Sequence, residues 1–364
     1  MTTMTQPEAR RVIVGVDTHR DVDVAVALDQ IGRRLADVAV PTTPAGYAEL
    51  IVWASVLGEI EAFGVEGTGC YGAGLSRFLE SRGYRVVEVL RPNRQTRRRR
   101  GKSDTTDAEA AARAVLSGEA AGAPKAGTDT VEMIRVLRVA RSTAMKARTQ
   151  AINALKGLLV TAPVELREQL RDMCTAELVV TAARFRPGTA DTPLAATKQA
   201  MSSLAQRYQT LAAELDVLDA RLDQLTTMAA PRLLATYGVG PHTAGALLVA
   251  AGDNPARLHS EAAFSMMCGA SPVEASSGKT VRHRLNRGGD RQANAALYRI
   301  VLVRMRHHPP TQAYVERRTK QGKSKSEIIR CLKRYVAREI YPLLKELAPA
   351  AAVADTNVPD RAVA

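Results

Sequence analysis

The sequence predicts a multidomain chain, with an α/β sheet domain first and a mostly helical remainder after it. Three observations predict this. Residues 11–120 alternate short apolar runs with amphipathic stretches. Residues 198–228 carry a leucine-rich heptad pattern. The composition changes again at Pro231, where glycine turns and basic residues replace the heptads. A chain of 364 residues has room for two or three domains, and 46% hydrophobic content is enough to fill their cores.

The first domain reads as follows. RVIVGVD (11–17) is an unbroken apolar run, as expected of a buried strand. DVAVALD (23–29) and RRLADVAV (33–40) supply two more strands before the turn-like PTTPAG. AGYAELIVWASVLG suits an amphipathic helix, and EAFGVEGTG a strand that ends in a glycine turn. CYGAGLSRFLESRG is a helix with a glycine stop, and YRVVEVL a further strand. SDTTDAEAAARAVLSG is alanine-rich, with Ser103 or Asp104 at the cap position, and predicts a helix. The resulting order is three strands, helix, strand, helix, strand, helix. A ribonuclease H-like sheet has that order, and a Rossmann-type sheet has a similar alternation.

GEAAGAPKAG (118–127) reads as a linker. Beyond it, Met201, Leu204, Tyr208, Leu211, Leu215, Leu218, Leu222 and Leu225 alternate spacings of three and four, which predicts a coiled-coil helix. Residues 129–160 match more weakly through Ile134, Leu137, Ala144, Ile152, Leu155 and Leu159. An antiparallel hairpin and pairing with a second chain both satisfy the two seams. LLATYGVGPHTAGALLVAAG places a G-x-G turn between apolar helical segments. It resembles a helix-hairpin-helix motif, whose turn amides can hold a phosphate, and a plain tight turn fits it equally. Residues 291–308 and 325–345 read as basic amphipathic helices. The expected organisation is a disordered stretch at 1–10, a sheet domain at 11–120, helices at 128–229, a basic domain at 231–345 and a disordered tail at 346–364.

Charge narrows the function. The net charge is +14. The stretch Lys279–Arg338 holds 17 Lys/Arg against Asp290, Glu316 and Glu327, so it carries the whole excess. A second block, RPNRQTRRRRGK, contributes Arg91, Arg94, Arg97, Arg98, Arg99, Arg100 and Lys102 without an acid. Such concentration predicts binding to polyanions, nucleic acid first. Aromatic content of 4% argues against stacking of unpaired bases as the main device. Cys70, Cys174, Cys268 and Cys331 are scattered, which excludes a zinc ribbon and a disulfide framework and fits a reducing cytoplasm. No apolar run follows the N-terminal charges as in a signal peptide, and none reaches the length of a membrane helix.

Four acids fall where chemistry is expected. Asp17 ends the first strand and Glu66 the fourth, while Asp104 and Asp107 open the last helix on one face. In a ribonuclease H-like sheet the first and fourth strands are neighbours, so the four carboxylates would converge. Their mutual repulsion calls for cations with oxygen ligands, Mg²⁺ or Mn²⁺, and two such ions are the common apparatus of phosphodiester displacement. Taken singly, each acid also has a plain reading as a helix cap, a first-turn acid or a strand-end surface group.

GVDTHRDVDVAVALD, VEGTGCYGAGL, RPNRQTRRRRGKSDTTDAEAAARA and YGVGPHTAGALLVAAGD with SPVEASSGKTVRHRLNRGGDRQANAAL resemble the DEDD transposases of the insertion-sequence one-hundred-ten type. The resemblance covers nearly all of residues 11–345; Arg20 stands where that family often has Lys. It implies a RuvC-like domain with the ribonuclease H fold, a coiled coil and a C-terminal transposase domain. It maps the DEDD acids onto Asp17, Glu66, Asp104 and Asp107. It also implies an essential serine before a glycine, Ser277 with Ser276 as the fallback, acting as nucleophile in phosphodiester transesterification. Lys279, Arg282, Arg284, Arg287 and Arg291 would hold phosphates nearby, and His283 is a weak candidate for a base. The partners implied are element and target DNA, a structured bridge RNA, and further copies of the chain in a dimer or tetramer. The acids and the serine are some 170 residues apart in sequence, so the expected site forms by domain closure or between subunits. A water-using junction nuclease, an actin-like sugar kinase (suggested by GVDTH) and a non-catalytic scaffold are the alternatives.

Overall fold

The computed structural model describes residues 10–89, 103–186, 188, 191–254, 257–279 and 283–346. The chain divides into two compact units, Met1–Thr128 with Ala251–His259, and Asp129–Ala250 with Ser260–Ala364.

The first unit holds strands β1 (Arg11–Asp17), β2 (Val22–Asp29), β3 (Arg34–Pro41), β4 (Glu59–Glu66) and β5 (Val86–Val89), with helices α1 (Pro44–Leu57), α2 (Ala73–Ser81) and α3 (Asp104–Leu116). The strands form one mixed sheet in the order β3-β2-β1-β4-β5. β1 pairs antiparallel with β2 and parallel with β4, so the first and fourth strands are neighbours as expected. Val12, Val14 and Val16 pack in one cluster with Tyr47 and Leu50 of α1 and Leu75 and Leu79 of α2. Ile13 faces the other way, into a cluster with Ala108, Ala111, Ala112 and Val115 of α3. Helices on both faces explain why β1 reads as a continuous apolar run.

α3 lies unusually close to the sheet. A Cβ on Gly15 would stand 2.0 Å from the Ala108 carbonyl oxygen and 2.3 Å from the Ala112 nitrogen. One on Gly64 would stand 2.7 Å from Val115 Cγ2. Two glycines and a row of alanines thus let helix backbone rest on strand backbone, which fixes where the start of α3 arrives.

Residues 118–127, read as a linker, return to the edge strand, where the Glu88 amide donates to the Gly122 carbonyl at 2.7 Å. Asn254 and Arg257 pack on the same edge. Arg257 pairs with Glu88 at 2.8 Å and donates to the Ala123 carbonyl at 3.0 Å. Asn254 donates to the Pro124 carbonyl at 2.8 Å.

The second unit begins with α4 (Thr130–Thr161), α5 (Val164–Leu170), α6 (Thr175–Ala183) and α7 (Pro193–Ala229). α4 and α7 pack antiparallel within the chain. Ile134 lies beside Thr226 across Gly245, Arg141 pairs with Asp219, and Leu155 clusters with Met201 and Ala205. Of the heptad seam, Met201, Leu215, Leu222 and Leu225 are buried, while Leu204, Tyr208, Leu211 and Leu218 are half-buried. One partner helix covers only one flank of a seam this wide. The remaining elements are α8 (Pro231–Leu234), α9 (Pro241–Ala251), α10 (Glu261–Met267), the two-stranded ribbon β6 (Val273–Glu274) and β7 (His283–Arg284), α11 (Arg291–His307), α12 (Pro309–Lys320) and α13 (Lys325–Lys345). Arg304 of α11, itself buried, makes two hydrogen bonds to Glu339 of α13 at 2.6 and 3.0 Å. Among the described residues no helix is long and apolar enough to cross a membrane.

Candidate metal centre and serine ribbon

The acidic cluster is built by backbone register. Val16 lies opposite Val65 in the parallel β1–β4 pair, which puts Asp17 beside Glu66 at adjacent strand ends. Both follow the face that Gly15 and Gly64 present to α3. The Thr18 hydroxyl donates to the Glu66 carbonyl at 2.8 Å and ties the two ends together.

Asp104 and Asp107 come from the first turn of α3. Ser103 is the N-cap, with its hydroxyl accepting from the Thr106 amide at 3.3 Å. The cap is therefore satisfied without Asp104. Asp107 is buried, as are Asp17 and Glu66, while the Asp104 side chain is half exposed.

The structure adds a residue that sequence reasoning missed. His19 Nε2 stands 3.3 Å from Asp17 Oδ2 and 3.4 Å from Asp104 Oδ1. One donor atom from each of Asp17, His19 and Asp104 falls within a 4.8 Å cluster. The turn carrying His19 is held by Asp23, a fully buried carboxylate that accepts from the His19 amide at 3.1 Å. A lone histidine two positions past a strand end has no partner at ligand spacing, so nothing in the sequence singled it out.

The electrostatics agree with the geometry. Burial pushes the Asp17 carboxyl above the usual carboxylate range; His19 pulls it back, and Asp107 and Asp104 push it up again. Asp23 is also raised, by burial above all, with the His19 amide opposing. Negative charge here is crowded and poorly solvated, a state that a bound cation relieves. The carboxylate oxygens suit a divalent ion of the Mg²⁺–Mn²⁺ group, and the one imidazole nitrogen favours Mn²⁺ over Mg²⁺.

The other predicted residues lie elsewhere or beyond description. Ser276, Ser277 and Gly278 sit in the connection between β6 and β7, and Ser277 is exposed. β6 and β7 pair through Val273 with Arg284 and Glu274 with His283. Lys279, Arg284, Arg287 and Arg291 are exposed around this ribbon. Arg91, Arg94, Arg97, Arg98, Arg99, Arg100, Lys102 and Arg282 lie outside the described residues. The acids belong to the first unit and the serine to the second.

Comparison with known proteins agrees with these features. Residues 14–162 match the transposase family of the DEDD, IS110 type, and residues 230–316 match the transposase IS116/IS110/IS902 family. The chain belongs to the IS110-type DEDD transposases. It is also similar to an insertion element IS110 uncharacterized 43.6 kDa protein of Streptomyces coelicolor, at 26% identity over 147 residues. That match spans 40% of this chain and 36% of the relative, so the chain covers about a third of the curated protein it resembles.

Proposed function

We propose that the chain is a transposase that cuts and rejoins DNA strands of an insertion sequence, using a divalent-cation centre in a RuvC-like, ribonuclease H-type domain and a serine nucleophile. One observation supports this above all others: Asp17, His19 and Asp104, brought from a strand end, a turn and a helix start, point donor atoms into one space. Glu66, beside Asp17 at the sheet end, and Asp107, in the same helix turn as Asp104, would be further ligands. These residues would hold Mg²⁺ or Mn²⁺, as two ions on the carboxylate set. Bound there, the cations would polarise a phosphodiester and stabilise the charge that develops on its oxygens.

The chain's own residues do the rest. The Ser277 hydroxyl bonds to phosphorus as the bond to one deoxyribose oxygen breaks, and the serine proton passes to solvent or to that oxygen. One ester bond replaces another, so the strand end stays attached and can be rejoined without an outside energy source. Arg284 and Arg287, with Arg282 and Lys279, hold neighbouring phosphates by charge-assisted hydrogen bonds. The basic block from Arg91 to Lys102 precedes Asp104 in sequence and steers the strand toward the carboxylates.

Strand exchange needs several strands held together, so the working form on DNA is an oligomer. A structured RNA guide is what the resemblance implies, and the concentrated positive charge is compatible with binding one. Purification from cells that carry the element, followed by sequencing of bound RNA, tests it: one discrete RNA supports guidance, and random RNA or none contradicts it.

The decisive experiment traps protein on DNA. Wild-type protein denatured during reaction should carry a covalently attached strand; Ser277→Ala should not, and Ser276→Ala should. Strand cutting that persists in Ser277→Ala would instead favour a nuclease that uses water.

A further inference from the structure

The second unit contains a cavity of about 660 Å³ outside the predicted serine and carboxylate residues. Its walls come from the segment Gly269–Pro272, the base of the serine ribbon at Arg284–Asn286, the end of α12, and one face of α13. Seven of its lining residues are basic: Arg284, Arg318, Lys323, Arg330, Lys333, Arg334 and Arg338. Glu327 is the one acid in the lining.

Part of this charge is neutralised within the protein. Glu261 takes Arg334 and Arg338, and Glu327 lies 3.8 Å from Lys323. Arg284, Arg318, Arg330 and Lys333 have no carboxylate within 4.0 Å among the described residues. Two of these four are in places where a lone cation or donor is costly. Lys333 is 7% exposed, and among the described residues its ammonium donates only to the neutral Asn294 side-chain oxygen, at 3.0 Å. The Nε of Arg318 is buried without a hydrogen-bond partner among the described residues, although its Nη1 reaches Gln321 at 2.7 Å. Burial, and then the nearby Arg330, lower the Lys333 pKa, and an anion in the cavity would oppose that shift. The wall itself is firmly tied, since Asn294 also donates to the Cys268 and Gly269 carbonyls at 2.8 and 3.1 Å.

The cavity also offers an aromatic face. Tyr335 is 50% exposed, and its ring is held edge-on by Tyr314 with centroids 5.6 Å apart. A flat exposed ring beside unpaired cations matches one nucleotide, with its base on the ring and its phosphates on the cations. The volume fits such a unit and is far too small for a duplex.

We propose that this cavity seats a single unpaired nucleotide of a nucleic-acid strand, its base against Tyr335 and its phosphates on Arg330, Lys333, Arg318 and Arg284. The site deepens the proposed function and rests on it for nucleic-acid binding alone, not for metal or serine chemistry. It places an unpaired nucleotide at the foot of the ribbon that carries Ser277.

The test uses the full chain in EDTA, so that no strand is cut. Binding of short oligothymidylate, oligouridylate and duplex DNA is followed by fluorescence anisotropy. Tyr335→Ala should weaken single-strand binding about 10-fold and change duplex binding less than twofold. Tyr335→Phe should keep wild-type affinity, and Tyr335→Trp should show fluorescence quenched by the single strand. Arg330→Gln should reduce the log–log salt slope by about 1. Matching thermal melts of the variants establish that they fold. A preference for the deoxy or the ribo strand identifies which strand occupies the cavity. Equal losses on single strand and duplex, or no loss in Tyr335→Ala, would overturn the inference and leave the transposase reading intact. Failure of the wild-type chain to bind any strand would overturn both.

Discussion

Asp17 carries the most chemical meaning per atom in this chain. It is buried, faces Asp104 and Asp107, and touches the ring nitrogen of His19. Asp17→Asn and Glu66→Gln should each abolish strand cleavage while leaving the fold intact, as judged by plasmid nicking and thermal melts. A pH effect follows from Asp17 and Asp23, whose carboxyls are both raised from 3.8 in the fold. The folded protein then holds these protons more tightly than the unfolded chain. Their contribution to stability is full below the ordinary value and is lost as pH rises through the folded values. Metal-free protein should therefore lose stability from these groups as pH rises through that window. Asp23→Asn should flatten the curve, and an unchanged slope in that variant would contradict the assignment. The four acids were legible in sequence because each sits at a strand end or helix start. His19 was not, because its role depends on where Asp104 arrives from across the sheet. The partnership of Arg257 with Glu88 was equally hidden, since no local periodicity links residues 169 positions apart.

At the scale of elements, α3 is the piece that assembles the site. Its closeness to β1 depends on Gly15, where any Cβ meets helix backbone that cannot rotate away. Gly15→Ala should cost about 1–3 kcal/mol of stability, by analogy with overpacked cores, and should weaken Mn²⁺ binding. Chemical denaturation and electron paramagnetic resonance titration check the two effects. The helical pair is held differently. Arg141 and Asp219 join α4 to α7 through a two-pronged contact that draws the Asp219 carboxyl below the usual range. Asp219→Asn should cost about 1 kcal/mol and leave Mn²⁺ binding at the proposed centre unchanged. The heptad seam announced α7 but left its partner open. The spacing specifies a buried stripe, and which helix covers that stripe depends on loop path and on contacts such as Arg141 with Asp219. α12 went unread because PPTQAYVERRTK is too polar to show a stripe, although its paired prolines suit a helix start.

At the scale of the whole molecule, charge is the organising quantity. The +14 excess lies in Lys279–Arg338, and the cavity beneath the ribbon draws seven basic residues from that stretch. Nucleic-acid affinity should fall steeply and linearly in log–log form with salt. Neutralising exposed Arg287 and Arg291 together should lower the slope more than it changes sequence preference, as measured by anisotropy titrations. The alternation of strands and helices was readable at this scale, and the ribonuclease H-like reading of it made the first and fourth strands neighbours, as they are; the alternation alone left a Rossmann-type sheet open.

Manganese is the most direct probe of the central claim, that carboxylates from separate elements of the first unit form a cation centre. Crystals of the chain grown with Mn²⁺ and measured at the manganese absorption edge should show anomalous density against the oxygens of Asp17 and Asp104, and none in Asp17→Asn crystals. Manganese bound elsewhere, with those oxygens turned apart, would contradict the account.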